Sequence, residues 1–237
     1  MVPKRKGLSV ILFNRHLNEL KTRGVDKFVI TIITRVIVDK YDMAFRSPTK
    51  PIGPFYSKDE ALRLKNQRPD LNIREDAARG YRRLVPSPDP KIIAERSAIR
   101  ALVDSGFVVV ACGGGGIPII EEAGQAMGVE AVIDKDLAGQ RLATLIGVHI
   151  FIILTDVEGA FLNYGTSKQT RIEEITSGKL TNYLMEGQFG EGSMAPKVEA
   201  TIRFVESGGE LAIIANLASL VEALKGRSGT HVSVPKV

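Results

Sequence analysis

From Pro90 onward the chain alternates short β-branched apolar runs with helical stretches closed by glycine, which leaves few architectures open. Residues 91–105 read as a helix ending at Gly106. Phe107–Ala111 reads as a strand, Glu130–Ile133 as a short strand and Leu137–Ile146 as a helix. His149–Asp156 is an apolar strand, followed by a loop and an acidic helix. SMAPKVEATIRFVESGG predicts a proline-started helix, Glu210–Asn216 a strand, Leu217–Lys225 a helix, and GTHVSVP a last strand. Such an order predicts an α/β fold, a three-layer αβα sandwich with a mostly parallel sheet. Strands that are apolar throughout predict burial on both sheet faces. Before Pro90, residues 8–23 read as a helix and FVITIITRVIV (28–38) as a strand. Residues 39–90 are rich in Pro, Arg, Lys and Asp and read as an excursion from the sheet.

The 237 residues are 44% hydrophobic and 25% charged, as in ordinary globular domains. No apolar run approaches membrane-span length. The basic N-terminus lacks a cleavage site, so no signal peptide is expected. A single cysteine, Cys112, excludes an internal disulfide and a multi-cysteine metal site. A net charge of +5, spread along the chain with acidic residues beside the basic ones, suits an enzyme for anionic substrates. No nucleic-acid-binding motif accompanies it, so neither nucleic acid nor membrane is expected as a partner. The simplest location is the cytoplasm.

Several segments carry possible chemistry. FVVVACGGGGIPII (107–120) runs from a strand into Gly113, Gly114, Gly115 and Gly116. It is neither a P-loop nor a dinucleotide fingerprint. Two readings stay open: a ligand-free strand-end loop, or backbone N–H groups turned toward an anion. VIDKD places Asp134, Lys135 and Asp136 at a strand-to-helix junction, where open parallel sheets gather ligands. Lys135 is expected to be held between two carboxylates, or else an aspartate merely caps the helix. Asp156 ends a strand, as a turn carboxylate or a ligand contact. Lys197 of SMAPK sits in a first helical turn, where the helix dipole disfavours a cation; either a bound anion compensates, or the lysine is merely tolerated on a solvated face. Lys50, Arg82 and Arg83 flank proline-stiffened turns and are candidates to face an anionic substrate, or else form a solvated charged face. His16, His149 and His231 show no metal or triad spacing and read as structural. No nucleophile with a paired base is evident.

TKPIGPFY, RGYRRLVPSPDP, GGGGIP, EAVIDKDLAG, ILTDVEGA and SMAPK occur in this order, and the series resembles the carbamate kinases from about residue 8 to the C-terminus. The resemblance implies the amino-acid kinase fold, with an acid-substrate lobe over residues 1–120, a protruding subdomain at about 40–89, and a nucleotide lobe over 121–237. It implies reversible phosphoryl transfer between ATP and carbamate, giving ADP and carbamoyl phosphate, with Mg²⁺, in a homodimer serving arginine metabolism. By the same resemblance Lys135 meets the transferring phosphoryl group and Asp136 orients the lysines. Lys197 neutralises nucleotide phosphates, and Lys50 reaches in from the subdomain. Gly113–Gly116 face carbamate, while Asp156, Tyr164 and Met194 lie near the nucleotide. The family's opening GGNAL-type glycine loop and its GNGPQ segment are not in this sequence, which therefore reads as N-terminally truncated. Strands 28–38 and 107–111 are then expected to show bare apolar surface. The alternatives are a catalytically impaired nucleotide-binding remnant and another acid kinase of the same fold. The TKPIGPFY segment counts against the latter.

Overall fold

The computed structural model describes residues 18–76, 79–190 and 192–235. Of the helix predicted over 8–23, residues 18–22 are helical and the rest, with His16, lies outside the described residues. The run predicted as one strand over 28–38 is two, Val29–Thr31 and Arg35–Ile37. Both pair in parallel with the same downstream segment, first at Val108–Val110 and then at Ile117–Ile119. Between these pairings the first strand advances from Thr31 to Arg35 while its partner advances from Val110 to Ile117. The surplus is pushed out of the sheet as the glycine turn. Buried Thr34 pins its two ends. Its hydroxyl accepts from the Cys112 N–H at 2.9 Å, and its carbonyl accepts from the Ile117 N–H at 2.8 Å.

Residues 50–85 form a separate antiparallel unit. Lys50–Tyr56 and Ile73–Glu75 flank Tyr81–Val85, with helix α1 (Lys58–Gln67) alongside. A reciprocal capping box between Ser57 and Glu60 starts α1. The chain then returns to the first sheet through Ile92–Ile93, antiparallel to Val36–Ile37, and enters helix α2 (Arg96–Asp104). Ile117–Glu122 and Gln125–Gly128 make a hairpin that sequence periodicity does not reveal. The strand predicted at 130–133 is absent. There the Val132 N–H donates to the Pro86 carbonyl at 2.9 Å instead of joining a ladder.

Helix α3 (Lys135–Ile146) packs between two cores. Ala138 and Ile146 join Val36, Ile93, Ile99 and Ile133 in the first, while Ala143 joins the second. The second surrounds a sheet ordered Ile150–Thr155, Leu211–Asn216, Thr230–Ser233, Glu174–Thr176. Its first pair is parallel, as predicted, and its third strand is antiparallel to the second. Helix α4 (Ser177–Met185) follows the acidic residues Glu173 and Glu174 rather than containing them. Helix α5 (Ala195–Glu206) buries Val198, Ile202, Phe204 and Val205, and a 3₁₀ turn leads into the short α6 (Leu220–Leu224). Covering on both faces holds for Ala212–Ala215, all buried. It does not hold in the first sheet. Phe28 is 69% exposed and Ile33 79%, and Val108–Val110 are half-buried. Together the layers make an αβα sandwich whose central pairs are parallel and whose margins are antiparallel.

Candidate active site

The start of α3 organises the charged groups. Asp134 is its N-cap, with Oδ1 accepting from the Asp136 N–H at 2.9 Å and the Leu137 N–H at 3.3 Å. Its Oδ2 accepts a hydrogen bond from the Lys50 ammonium, which arrives from the small antiparallel unit. Burial pushes the Asp134 carboxyl up. The Lys50 hydrogen bond and charge, with the two backbone N–H groups, outweigh this and hold it below the ordinary aspartate range. A depressed carboxyl contributes stability that is present above its unfolded value and lost as pH falls through the folded one. Acidification below about pH 4 should therefore undock Lys50, while the protonated carboxyl keeps an oxygen to cap α3. The melting temperature of Asp134→Asn should fall less steeply with acid than that of the unaltered chain. Parallel curves would disprove this assignment.

Asp136, one residue inside the helix, accepts from Lys197 Nζ at 2.6 Å, and Lys135 Nζ stands 3.6 Å from its other oxygen. This corrects the expectation that Lys135 is held between two carboxylates. Lys135 is 63% exposed, and Asp134 is engaged with Lys50 and the helix start. The cation at the start of α5 is also explained differently from the sequence expectation. Its compensating anion is the chain's own Asp136. Their side chains are 13% and 9% exposed, so the pair is desolvated. Lys197 stands in the first turn of α5, next to Pro196.

Beside Lys197 lies a cavity of about 350 Å³. Asp156 and Tyr164 from one segment, and Met194 and Lys197 from SMAPK, all line it. Thr155, Phe161, Gln188, Phe189 and Ser193 complete much of the wall, and sequence reasoning did not select them. The alternation of Phe161 and Tyr164 around Asn163 was the available signal. Their rings stand 5.9 Å apart at 54°, both on the cavity wall, with Tyr164 largely exposed. Two aromatic side chains in a mostly apolar cavity suit a planar heterocycle.

The glycine turn stands against the residue preceding Asp134. A Cβ at Gly115 would lie 2.2 Å from the Ile133 carbonyl oxygen, and one at Gly116 would lie 2.6 Å from Val36 Cγ2. Both have positive φ. These two glycines are thus required by close packing, the plain alternative of the sequence reading. Gly113 and Gly114 are exposed, and among the described residues their N–H groups have no protein acceptor. Packing thus accounts for Gly115 and Gly116. Cys112 enters it at φ 52. Burial pushes its thiol up to about 11, against a lesser opposing bond from Thr34, which leaves a neutral thiol rather than a nucleophile.

Arg82 pairs with Asp76 at 3.2 Å and lies over the Phe55 ring. Arg83 lies at a different surface, with Pro48, Asp70 and Glu130. His149 pairs with Glu210 and His231 meets the Ala223 carbonyl, both away from the cluster.

A sandwich of this topology, with lysines at the starts of two facing helices beside a cavity, is the arrangement of a phosphotransferase of the amino acid kinase family. That family's model matches residues 19–216. The chain is 55% identical over 216 residues to the carbamate kinase of Pyrococcus horikoshii, covering 91% of this chain and 68% of that protein. It is 51% identical over 220 residues to carbamate kinase 2 of Staphylococcus aureus, covering 92% and 69%. The solved carbamate kinase from Giardia lamblia bound to AMP-PNP superposes with a TM-score of 0.86 at 38% identity, over 97% of this chain and 73% of that one. The chain belongs to the carbamate kinases.

Proposed function

We propose that the chain transfers a phosphoryl group reversibly between ATP and carbamate, giving ADP and carbamoyl phosphate. The observation that carries this reading is the convergence of Lys135 and Lys197 on one buried carboxylate, Asp136, at the edge of the aromatic-lined cavity. The adenine ring lies against Phe161 and Tyr164, and Asp156 and Met194 border it. The AMP-PNP bound to the Giardia relative supports a nucleotide here.

Carbamate is already an anion, so its oxygen needs no general base. An oxygen lone pair forms the bond to the γ-phosphorus, and the bond to the β–γ bridging oxygen breaks with its electrons going to ADP. Charge on the transferring group is neutralised by Lys135, Lys197 and, from the small antiparallel unit, Lys50. Asp136 orients Lys135 and Lys197. The free N–H groups of Gly113 and Gly114, with Gly115 and Gly116 shaping the turn, face the carbamate. Among the described residues no cluster of three acidic, His or Cys side chains could hold a metal ion. Mg²⁺ accordingly fits as part of the nucleotide substrate, held by its phosphates. The proposal extends to a homodimer in the cytoplasm. Sedimentation equilibrium would check the former. Among the described residues no helix is long and apolar enough to cross a membrane.

The test is a coupled assay for ATP formed from ADP, Mg²⁺ and carbamoyl phosphate. Turnover is expected, with none from acetylglutamate or aspartate and ATP in the opposite direction. A raised melting temperature with ADP but no turnover would replace this reading with a nucleotide-binding remnant.

A further inference from the structure

Asp134 does more at this site than start a helix. Its two oxygens are divided between two parts of the molecule. Oδ1 takes the N–H groups of Asp136 and Leu137, and Oδ2 takes the ammonium of Lys50 from across 84 residues of sequence. Helix capping does not require the negative charge, since asparagine caps as well as aspartate. The charge is accounted for by Lys50. That lysine opens the strand Lys50–Tyr56 of the antiparallel unit, and a four-carbon stem leaves its ammonium many positions unless something holds it. A cleft of about 500 Å³ lies beside the pair, walled by Thr49–Pro51 and Arg74–Asp76 on one side and by Leu137, Pro196 and Glu199 on the other. Apart from this pair, Pro86, which follows the strand Tyr81–Val85, meets the segment before α3 by accepting the Val132 N–H at its carbonyl.

We propose that Asp134 is the positioning residue for Lys50, docking the small antiparallel unit onto the start of α3 and setting where that ammonium stands in the cleft. This rests on the carbamate kinase reading for the task given to Lys50, but the docking itself does not. Asp134 touches no reacting atom and acts through Lys50.

Asp134→Asn separates the two jobs, because it keeps the cap and removes the charge. It should lower kcat for ATP formation by roughly tenfold or more, in line with coupling within a charged pair, while the KM for ADP stays within about twofold. Asp134→Asn and Lys50→Ala should not multiply. The double variant should be no slower than Lys50→Ala alone. Asp134→Ala should add a loss of melting temperature that Asp134→Asn does not share. Multiplicative effects in the cycle, or a kcat unchanged in Asp134→Asn, would reduce Asp134 to a helix cap and overturn the proposal. A chain without turnover would refute the activity and leave the docking to be judged by hydrogen exchange of the Val132 amide. Equal, non-additive acceleration in Asp134→Asn and Lys50→Ala would support it. An unchanged rate, or additive acceleration, would overturn it.

Discussion

Replacing Lys197 with alanine is expected to lower ATP formation from carbamoyl phosphate by about 100- to 1,000-fold, the range seen when one preorganised charge-stabilising donor is removed. Two effects combine. The transferring group loses a cation placed in a nearly dry site, where each charge counts for more than in water. Asp136 loses its nearest partner and, among the described residues, keeps Lys135, at 3.6 Å on a largely exposed stem. Breaking a buried ion pair from one side costs about 3–5 kcal/mol when nothing replaces the partner, and Lys135 should reduce that figure. Lys197→Met keeps the aliphatic packing and loses only the charge, so comparing the two separates fold from catalysis. A rate within fivefold of the unaltered chain in both variants would remove Lys197 from the site.

Gly115→Ala should be the most damaging single-methyl change in the glycine turn. The added Cβ would stand 2.2 Å from a backbone carbonyl oxygen that no side-chain rotation can move away, at φ 95. Overpacking of about 1–3 kcal/mol adds to the cost of a left-handed alanine, about 1–2 kcal/mol. For a chain of this size the sum corresponds to a loss of melting temperature of roughly 10 °C. Relief by moving Ile133 would displace Asp134 and with it Lys50, so activity should fall further than stability alone accounts for. Gly113→Ala is the contrasting case. Its Cβ meets nothing within 4 Å and its φ is not positive, so the fold should be unaffected. A raised KM for carbamoyl phosphate in that variant would show that a ligand approaches the turn. An unchanged KM would leave the turn a packing device. Equal melting temperatures for Gly115→Ala and the unaltered chain would contradict the packing itself.

Local chemistry is legible in this sequence where one residue type suffices for one job. The Pro-started α5, the Gly106 stop after α2 and the buried run Ala212–Ala215 follow from proline geometry, glycine φ and apolar continuity. Asp156 and Lys197 stood out as a strand end and a helix start, positions that converge in a parallel sheet, whereas Tyr164 and Met194 came only from the family resemblance; all four line the cavity. The hairpin 117–128 was not legible, since its exposed QAMG strand carries no alternation. Glu130–Ile133 looks like a strand and is not one, because Pro86 offers Val132 an acceptor that only the folded chain brings near.

The sequence by itself determined that bare backbone follows FVVVAC, that two aspartates flank Lys135, and that a lysine stands in an unfavourable helical turn. Tertiary structure decided what each of these means. Two of the four glycines are required by Ile133 and Val36, which approach across the fold. Lys197 is compensated by Asp136 and Lys50 by Asp134, over separations of 61 and 84 residues. Residue identity sets which charges and conformations are available. Which charge meets which is set by packing, because an ion pair or a steric limit exists only when two distant segments are brought within a few ångströms of each other.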